Sequence, residues 1–319
     1  MATEIIIAIL AIIVLINMVV YRQVRRLLNF VPGAEKLTKP DEWAVFRKIS
    51  AAFLGVAVPR PENDRTPADL GLAFETREIK AADDTRLEAW FIPHAQAKGL
   101  ILLFHGYSVS KSILLDEARD FFDTGYSCLL VDFRGSGGSQ GNYTSIGYYE
   151  AHDVAATYYS ALISGVKGPV VLYGQSMGGA AILRAIDELQ MKPDAIILEA
   201  VFDRLLTAVQ QRVRSFSLPL SGLAKLIVMW GSLQSGFNGF KHNPIDYAYS
   251  VGCPTLFING DRDQRVPLGQ ARGLYGAIPT RNKRFVQLEG AGHISPRADN
   301  PEQWRAAITD FLNSLTVTQ

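Results

Sequence analysis

The sequence predicts an α/β protein: an open, mostly parallel sheet with helices on both faces, a cap inserted between two strands, and a separate N-terminal transmembrane helix. Three observations lead there. From residue 99 onward, short apolar runs alternate with helix-length segments, the pattern of parallel strands joined by crossover helices. The pentapeptide Gly174-Gln175-Ser176-Met177-Gly178 stands where one of those strands gives way to a helix. Near the N-terminus, Ile5 to Val20 is apolar apart from Asn17.

Composition narrows the function classes. The chain has 319 residues, with 32 Lys+Arg against 31 Asp+Glu for a net charge of +1. A general nucleic-acid binder needs a surplus of basic side chains to displace counterions, so nucleic acid is not an expected partner. Two cysteines, Cys128 and Cys253, can build neither a disulfide scaffold nor a multi-cysteine zinc site, and both read as buried, inert thiols.

The apolar run at the N-terminus is followed by Tyr21, Arg22, Arg25 and Arg26, while Met-Ala-Thr-Glu before it carries no basic side chain. A cleaved signal would place its basic residues first, so residues 1–28 read as an uncleaved single-span anchor and its basic flank. Sixteen residues rise ~24 Å, slightly short of a bilayer core, and Tyr21 and the arginines extend that reach. A cleaved signal, or a helix docked on the domain, are the alternatives. By the positive-inside rule the remainder faces the cytoplasm. Residues 29–69 hold five prolines and read as a linker, with one short amphipathic helix at 41–57.

The globular domain, 70–319, opens with a hairpin of strands at 74–81 and 86–93 around Ala82-Asp83-Asp84-Thr85. Strands follow at 99–105, 128–133, 169–173, 195–199, 254–259 and 285–288, each a short apolar run suited to burial on both faces. Helices are expected at about 111–123, 147–164, 177–190, 268–277 and 301–315. In such sheets chemistry collects beyond the carboxyl ends of the strands.

There the pentapeptide gains its meaning. A turn tight enough to need glycines lifts the Ser176 hydroxyl above the sheet and places the first amides of the next helix beside it, where the helix dipole favours an oxyanion. A serine needs a base, and the base an orienting group. Of five histidines, His293 is best placed, in the glycine-bearing loop after the last strand, with His105 second. His94 ends the hairpin, His152 lies in a helix and His242 in a polar loop. The loop after the preceding strand offers Asp261 and Asp263. The chain order Ser176, Asp263, His293 follows.

Leu103-Phe104-His105-Gly106-Tyr107, the stretch Asp132-Phe133-Arg134-Gly135-Ser136-Gly137-Gly138-Ser139, the serine turn, Gly260 to Pro267, and Gly290-Ala291-Gly292-His293 together resemble the α/β-hydrolase superfamily. The similarity is to its membrane-anchored serine hydrolases, near the serine-aminopeptidase-type and monoacylglycerol-lipase-like domains, and covers about residues 70–315. The resemblance implies Asp263 as the acid, three residues after the strand-ending glycine, with Asp261 as runner-up. It implies the backbone N–H groups of Tyr107 and Met177 as the oxyanion hole, His105 as structural, and Asp132 and Arg134 as braces of their loop. The hairpin turn departs from relatives by carrying Asp84 where glycine is usual.

Residues 201–250 exceed a simple crossover and form the expected cap. A basic helical stretch at 202–214 precedes the apolar 215–240, which either packs on what lies beneath or forms a wall for an acyl chain. The expected chemistry is two-step acyl transfer to water on a small-molecule, lipid-like ester or thioester, needing no metal or organic cofactor, with the lipid membrane as a further partner. A serine peptidase and a non-enzymatic membrane-tethered scaffold are the competing readings. A halide-removing enzyme would have Asp in place of Ser176.

Overall fold

Side chains of successive strand residues face opposite ways, and the third strand of this protein has no polar residue on either side. In the computed structural model, which describes residues 1–34, 56–214 and 221–316, Leu100, Leu102 and Phe104 pack with the helices of one sheet face. Ile101 and Leu103 pack with those of the other. The described strands are β1 (Glu75–Lys80), β2 (Arg86–Ile92), β3 (Leu100–Phe104), β4 (Ser127–Val131), β5 (Val170–Gln175), β6 (Ala195–Glu199), β7 (Thr255–Gly260) and β8 (Lys283–Leu288). They form one sheet in the order β1-β2-β4-β3-β5-β6-β7-β8. The β1/β2 and β2/β4 pairs are antiparallel and the others parallel.

The described α-helices are α1 (Ala2–Leu28), α2 (Leu115–Asp123), α3 (Glu150–Ile163), α4 (Met177–Glu188), α5 (Leu205–Arg214), α6 (Ser221–Ser235), α7 (Pro244–Tyr247), α8 (Leu268–Ala277), α9 (Pro296–Asp299) and α10 (Pro301–Thr316). Helices α3, α4 and α8 cover one face of the sheet; α2 and α10 cover the other. Helices α5 and α6 lie in the expected cap.

Helix α1 divides into two parts. Residues 2–16 are exposed, whereas Val20, Val24 and Leu28 are buried against Leu223, Leu226, Ile227 and Trp230 of the cap. The helix is long and apolar enough to cross a membrane, and its second half is docked on the domain.

Several local readings need correction. Helical structure begins at Glu150 rather than 147, because the Glu150 carboxylate gathers the preceding loop. It accepts from Ser145 N and Gly147 N at 2.9 Å, from the Thr144 hydroxyl at 2.7 Å, and from the Ser145 hydroxyl. His242, set in a polar loop, is fully buried between Ile146 O and the Tyr247 hydroxyl; burial lowers its pKa to about 4. Cys253 is half-buried rather than buried, and burial raises its thiol pKa to about 12. The helix expected at 41–57 falls almost wholly outside the described residues.

The described part of the linker, 56–69, is laced to the domain. Arg60 donates to the carbonyls of Gly137 and Ser139 at 2.6 Å, and Asn63 to Asp132 at 2.9 Å. Asp132 accepts from Lys111 N at 2.8 Å and Gly138 N at 2.9 Å and pairs with the Lys111 ammonium. Lys111 also pairs with Glu88 at 2.7 Å and lies over the Trp90 ring. Burial opposes the Asp132 charge, but the Lys111 charge and the hydrogen bonds outweigh it and lower its pKa. Arg134 forks between Asp153 and Asp83, so Asp132 and Arg134 hold their loop. Asp84 takes φ of 64° at the hairpin turn, a conformation Asp tolerates better than most side chains.

Lys111 and Asp132 are both fully buried, so removing one partner strands the other in a dry site. Lys111→Ala is expected to cost ~3–5 kcal/mol in urea unfolding, with the folded sheet retained by circular dichroism.

Candidate active site

Backbone crowding builds the serine turn. Ser176 has φ of 50° and ψ of −110°, outside the regions an L-residue ordinarily occupies. The main chain has no room for side chains at the flanking positions. A Cβ at Gly174 would fall 2.6 Å from Gly179 N, and one at Gly178 would fall 2.2 Å from the Phe104 carbonyl. The Ser176 N–H donates to the Glu199 carbonyl at 2.8 Å, which ties the turn to the end of β6. Ser176 is partly exposed while Gln175 and Met177 are buried.

The β3 loop runs alongside. A Cβ on Gly106 would sit 3.6 Å from the Ser176 Cβ, placing the next residue, Tyr107, beside the serine. Neither the Tyr107 nor the Met177 N–H is used in a backbone hydrogen bond with a described residue. His105 faces inward with both ring nitrogens engaged, Nδ1 at 2.8 Å from Gly106 O and Nε2 accepting from Phe133 N at 3.1 Å. Burial lowers its pKa, and no ring nitrogen is left to act as a base.

Two adjacent loops bring Asp263 and His293 together. A Cβ on Gly260 would fall 2.2 Å from the Ala291 carbonyl, so the loops after β7 and β8 run in contact. Arg262 N donates to Ala291 O at 2.9 Å. The His293 Nδ1 lies 2.8 Å from Asp263 Oδ2, and Asp263 Oδ1 accepts from Arg265 N and Val266 N, each at 2.8 Å. Asp263 is buried and the His293 side chain 13% exposed. Asp261 accepts from Gly290 N at 2.8 Å, bracing the histidine loop without touching the imidazole. Among the described residues, no hydrogen bond joins His293 to the Ser176 hydroxyl. Such contacts are often long before substrate binds.

Sequence reasoning missed a buried carboxyl pair beneath the serine. The Glu199 carboxylate accepts from Gln175 Nε2 at 3.0 Å and Trp304 Nε1 at 2.7 Å. Burial raises its pKa, and the charge of His293 works in the opposite direction. Glu117 is buried with its Oε2 unpartnered among the described residues. Burial, reinforced by Glu199, raises its pKa to about 8. An acid ending an otherwise apolar strand was the available signal. No cluster of three or more His, Cys, Asp or Glu suited to a metal ion occurs among the described residues.

Known proteins resemble this chain. The family described as Serine aminopeptidase, S33, matches residues 95–233. An uncharacterized membrane protein of Saccharomyces cerevisiae is 27% identical, covering 72% of this chain and 76% of its own. Protein bem46 of Schizosaccharomyces pombe is 24% identical, with coverage of 73% and 75%. An esterase of Pyrococcus furiosus superposes with a TM-score of 0.69 at 24% identity, covering 80% of this chain and 96% of its own.

The raised Glu117 carboxyl has a consequence for stability. The folded chain holds this proton up to about pH 8, whereas the unfolded chain releases it near 4.5, so unfolding becomes easier as pH rises between those values. The slope is at most ~1.4 kcal/mol per pH unit for one proton. Glu117→Gln should flatten the fall in melting temperature between pH 5 and 8, read by thermal denaturation at matched ionic strength.

Proposed function

We propose that this chain, which has the fold of the α/β-hydrolases and matches the Serine aminopeptidase, S33, family over residues 95–233, is a serine hydrolase of carboxylic ester or thioester bonds in lipid-like substrates. The observation that carries this reading is the 2.8 Å contact of His293 with a buried Asp263, in a chain whose Ser176 stands at a strained strand-to-helix turn. In the reading, His293 Nε2 takes the Ser176 proton as the serine oxygen attacks the acyl carbonyl. Asp263 holds the imidazole by Nδ1 and steadies the imidazolium. The Tyr107 and Met177 amides receive the oxyanion, each worth ~10²–10³ in turnover. The imidazolium then protonates the departing alcohol or thiol. Water, activated by the same histidine, releases the acid.

The apolar surface of α1 and the arginines that follow its exposed half support a single-pass anchor with the domain on the cytoplasmic side. The yeast relative's description as a membrane protein is consistent with this. A peptidase is the second reading, favoured by the description of the matched family. A free substrate amine would carry positive charge and call for acidic side chains, whereas the cap helix α5 carries Arg212 and Arg214 and no acidic residue, which disfavours a cationic substrate.

A fluorophosphonate should label the wild-type chain stoichiometrically at Ser176 and leave Ser176→Ala unlabelled; a well-folded wild type that takes no label would rule out the enzyme. Turnover of p-nitrophenyl esters should rise with acyl length, by up to about 4-fold in kcat/KM per methylene buried. Equal rates for acetyl and decanoyl esters would remove the lipid-like assignment.

A further inference from the structure

The last carbonyls of an α-helix have no partner within it. At the end of α1 two of them are satisfied from outside the helix, one by the side chain of Tyr107, whose amide is a proposed oxyanion donor, and one by Thr144, whose side chain reaches Met177. The Leu27 carbonyl accepts from the Tyr107 hydroxyl at 2.7 Å, and the Leu28 carbonyl accepts from Thr144 N at 3.0 Å. The Thr144 hydroxyl in turn lies 3.5 Å from the Met177 sulfur. The connection continues past the helix, where Phe30 N donates to Asn142 O at 2.6 Å and the Phe30 ring packs on that of Tyr107 at 5.9 Å.

The same helix is fixed to the cap higher up. Trp230 Nε1 donates to Asn17 Oδ1 at 3.1 Å, the Tyr21 and Trp230 rings meet edge to face at 5.3 Å, and Gln234 donates to the Tyr21 carbonyl at 3.0 Å. The docked half of α1 is thus a strut with the cap along one side and the oxyanion loops at its end.

We propose that α1 seats the oxyanion hole, with the Tyr107 side chain as the positioning residue that transmits its placement to the Tyr107 amide. This rests on the acyl-transfer reading. A donor must lie 2.7–3.1 Å from the forming oxyanion, and an error of about 1 Å can cost on the order of 10² in rate. A hydroxyl that fixes the loop against a long helix is therefore a lever on turnover without touching substrate. The helix that would hold the protein in a bilayer is then also part of its catalytic frame.

The test uses the full chain in lipid nanodiscs. Tyr107→Phe removes only the hydroxyl and keeps the amide and the ring. Its kcat on a p-nitrophenyl ester should fall about 10-fold with KM within about 2-fold, and fluorophosphonate acylation should slow in parallel while still reaching one label per chain. Trp230→Phe, which loosens the other attachment of the strut, should also lower kcat. The double variant should fall short of the product of the two effects, because both act through the seat of α1. Unchanged Tyr107→Phe kinetics, multiplicative effects in the double variant, or a kcat loss matched by a collapse in melting temperature would each overturn the positioning role. A wild type that takes no label would remove the acyl-transfer reading itself, a distinguishable failure.

Discussion

Gly178 lies so close to the end of β3 that any side chain there would meet the Phe104 carbonyl at 2.2 Å and the His105 carbonyl at 2.9 Å. That contact sets the start of α4 directly on the loop leaving β3, and much of the site follows from it. With α4 pressed against β3, the chain leaving β5 has a single residue in which to reverse, and Ser176 absorbs the turn at positive φ. The strain is held because β5 and the first three turns of α4 are buried throughout, so the backbone cannot relax without opening the core.

Three ionisable groupings among the described residues differ in how charge is balanced. Lys111 sits between Asp132 and Glu88, and Arg134 between Asp153 and Asp83; in both, a cation is shared by two carboxylates. The third, Glu117 with Glu199, has no ion pair among the described residues, and burial raises the pKa of both carboxyls.

Much of this was legible in local pattern. β6 at Ala195–Glu199 and α8 at Leu268–Ala277 have the bounds that apolar runs and helical spacing suggested, and the glycines around Ser176 stand where a close backbone approach demands them. His293 could be singled out by its place after the last strand, whereas the choice of Asp263 over Asp261 rested on the family resemblance, and their pairing required the fold. What local pattern could not carry was the partner of an isolated polar residue. Glu199 finds Trp304 across 105 positions, and Asn17 finds Trp230 across 213. Lys111 opens a stretch that reads only as helical, and the fold supplies the carboxylates of Asp132 and Glu88 that allow its burial. His242 sits among polar neighbours in sequence and among aromatic rings in space.

Asn17 also explains why the apolar run is broken where it is. An amide in a bilayer is costly unless its polar atoms are paired. Here the nitrogen donates to the Ile13 carbonyl at 2.9 Å and the oxygen accepts from Trp230, which leaves the helix compatible with an apolar solvent up to that level. Trp and Tyr favour the membrane boundary, and Tyr21 and Trp230 meet at the next turn, followed by Arg22, Arg25 and Arg26. On the proposed anchor, residues 2–16 span ~22 Å and the aromatic pair marks the interface. Helix α6, docked along the helix from Val20 to Leu28, then lies directly beneath the headgroups. On the same proposal, a cap at that depth receives an acyl chain from the bilayer without the chain crossing water.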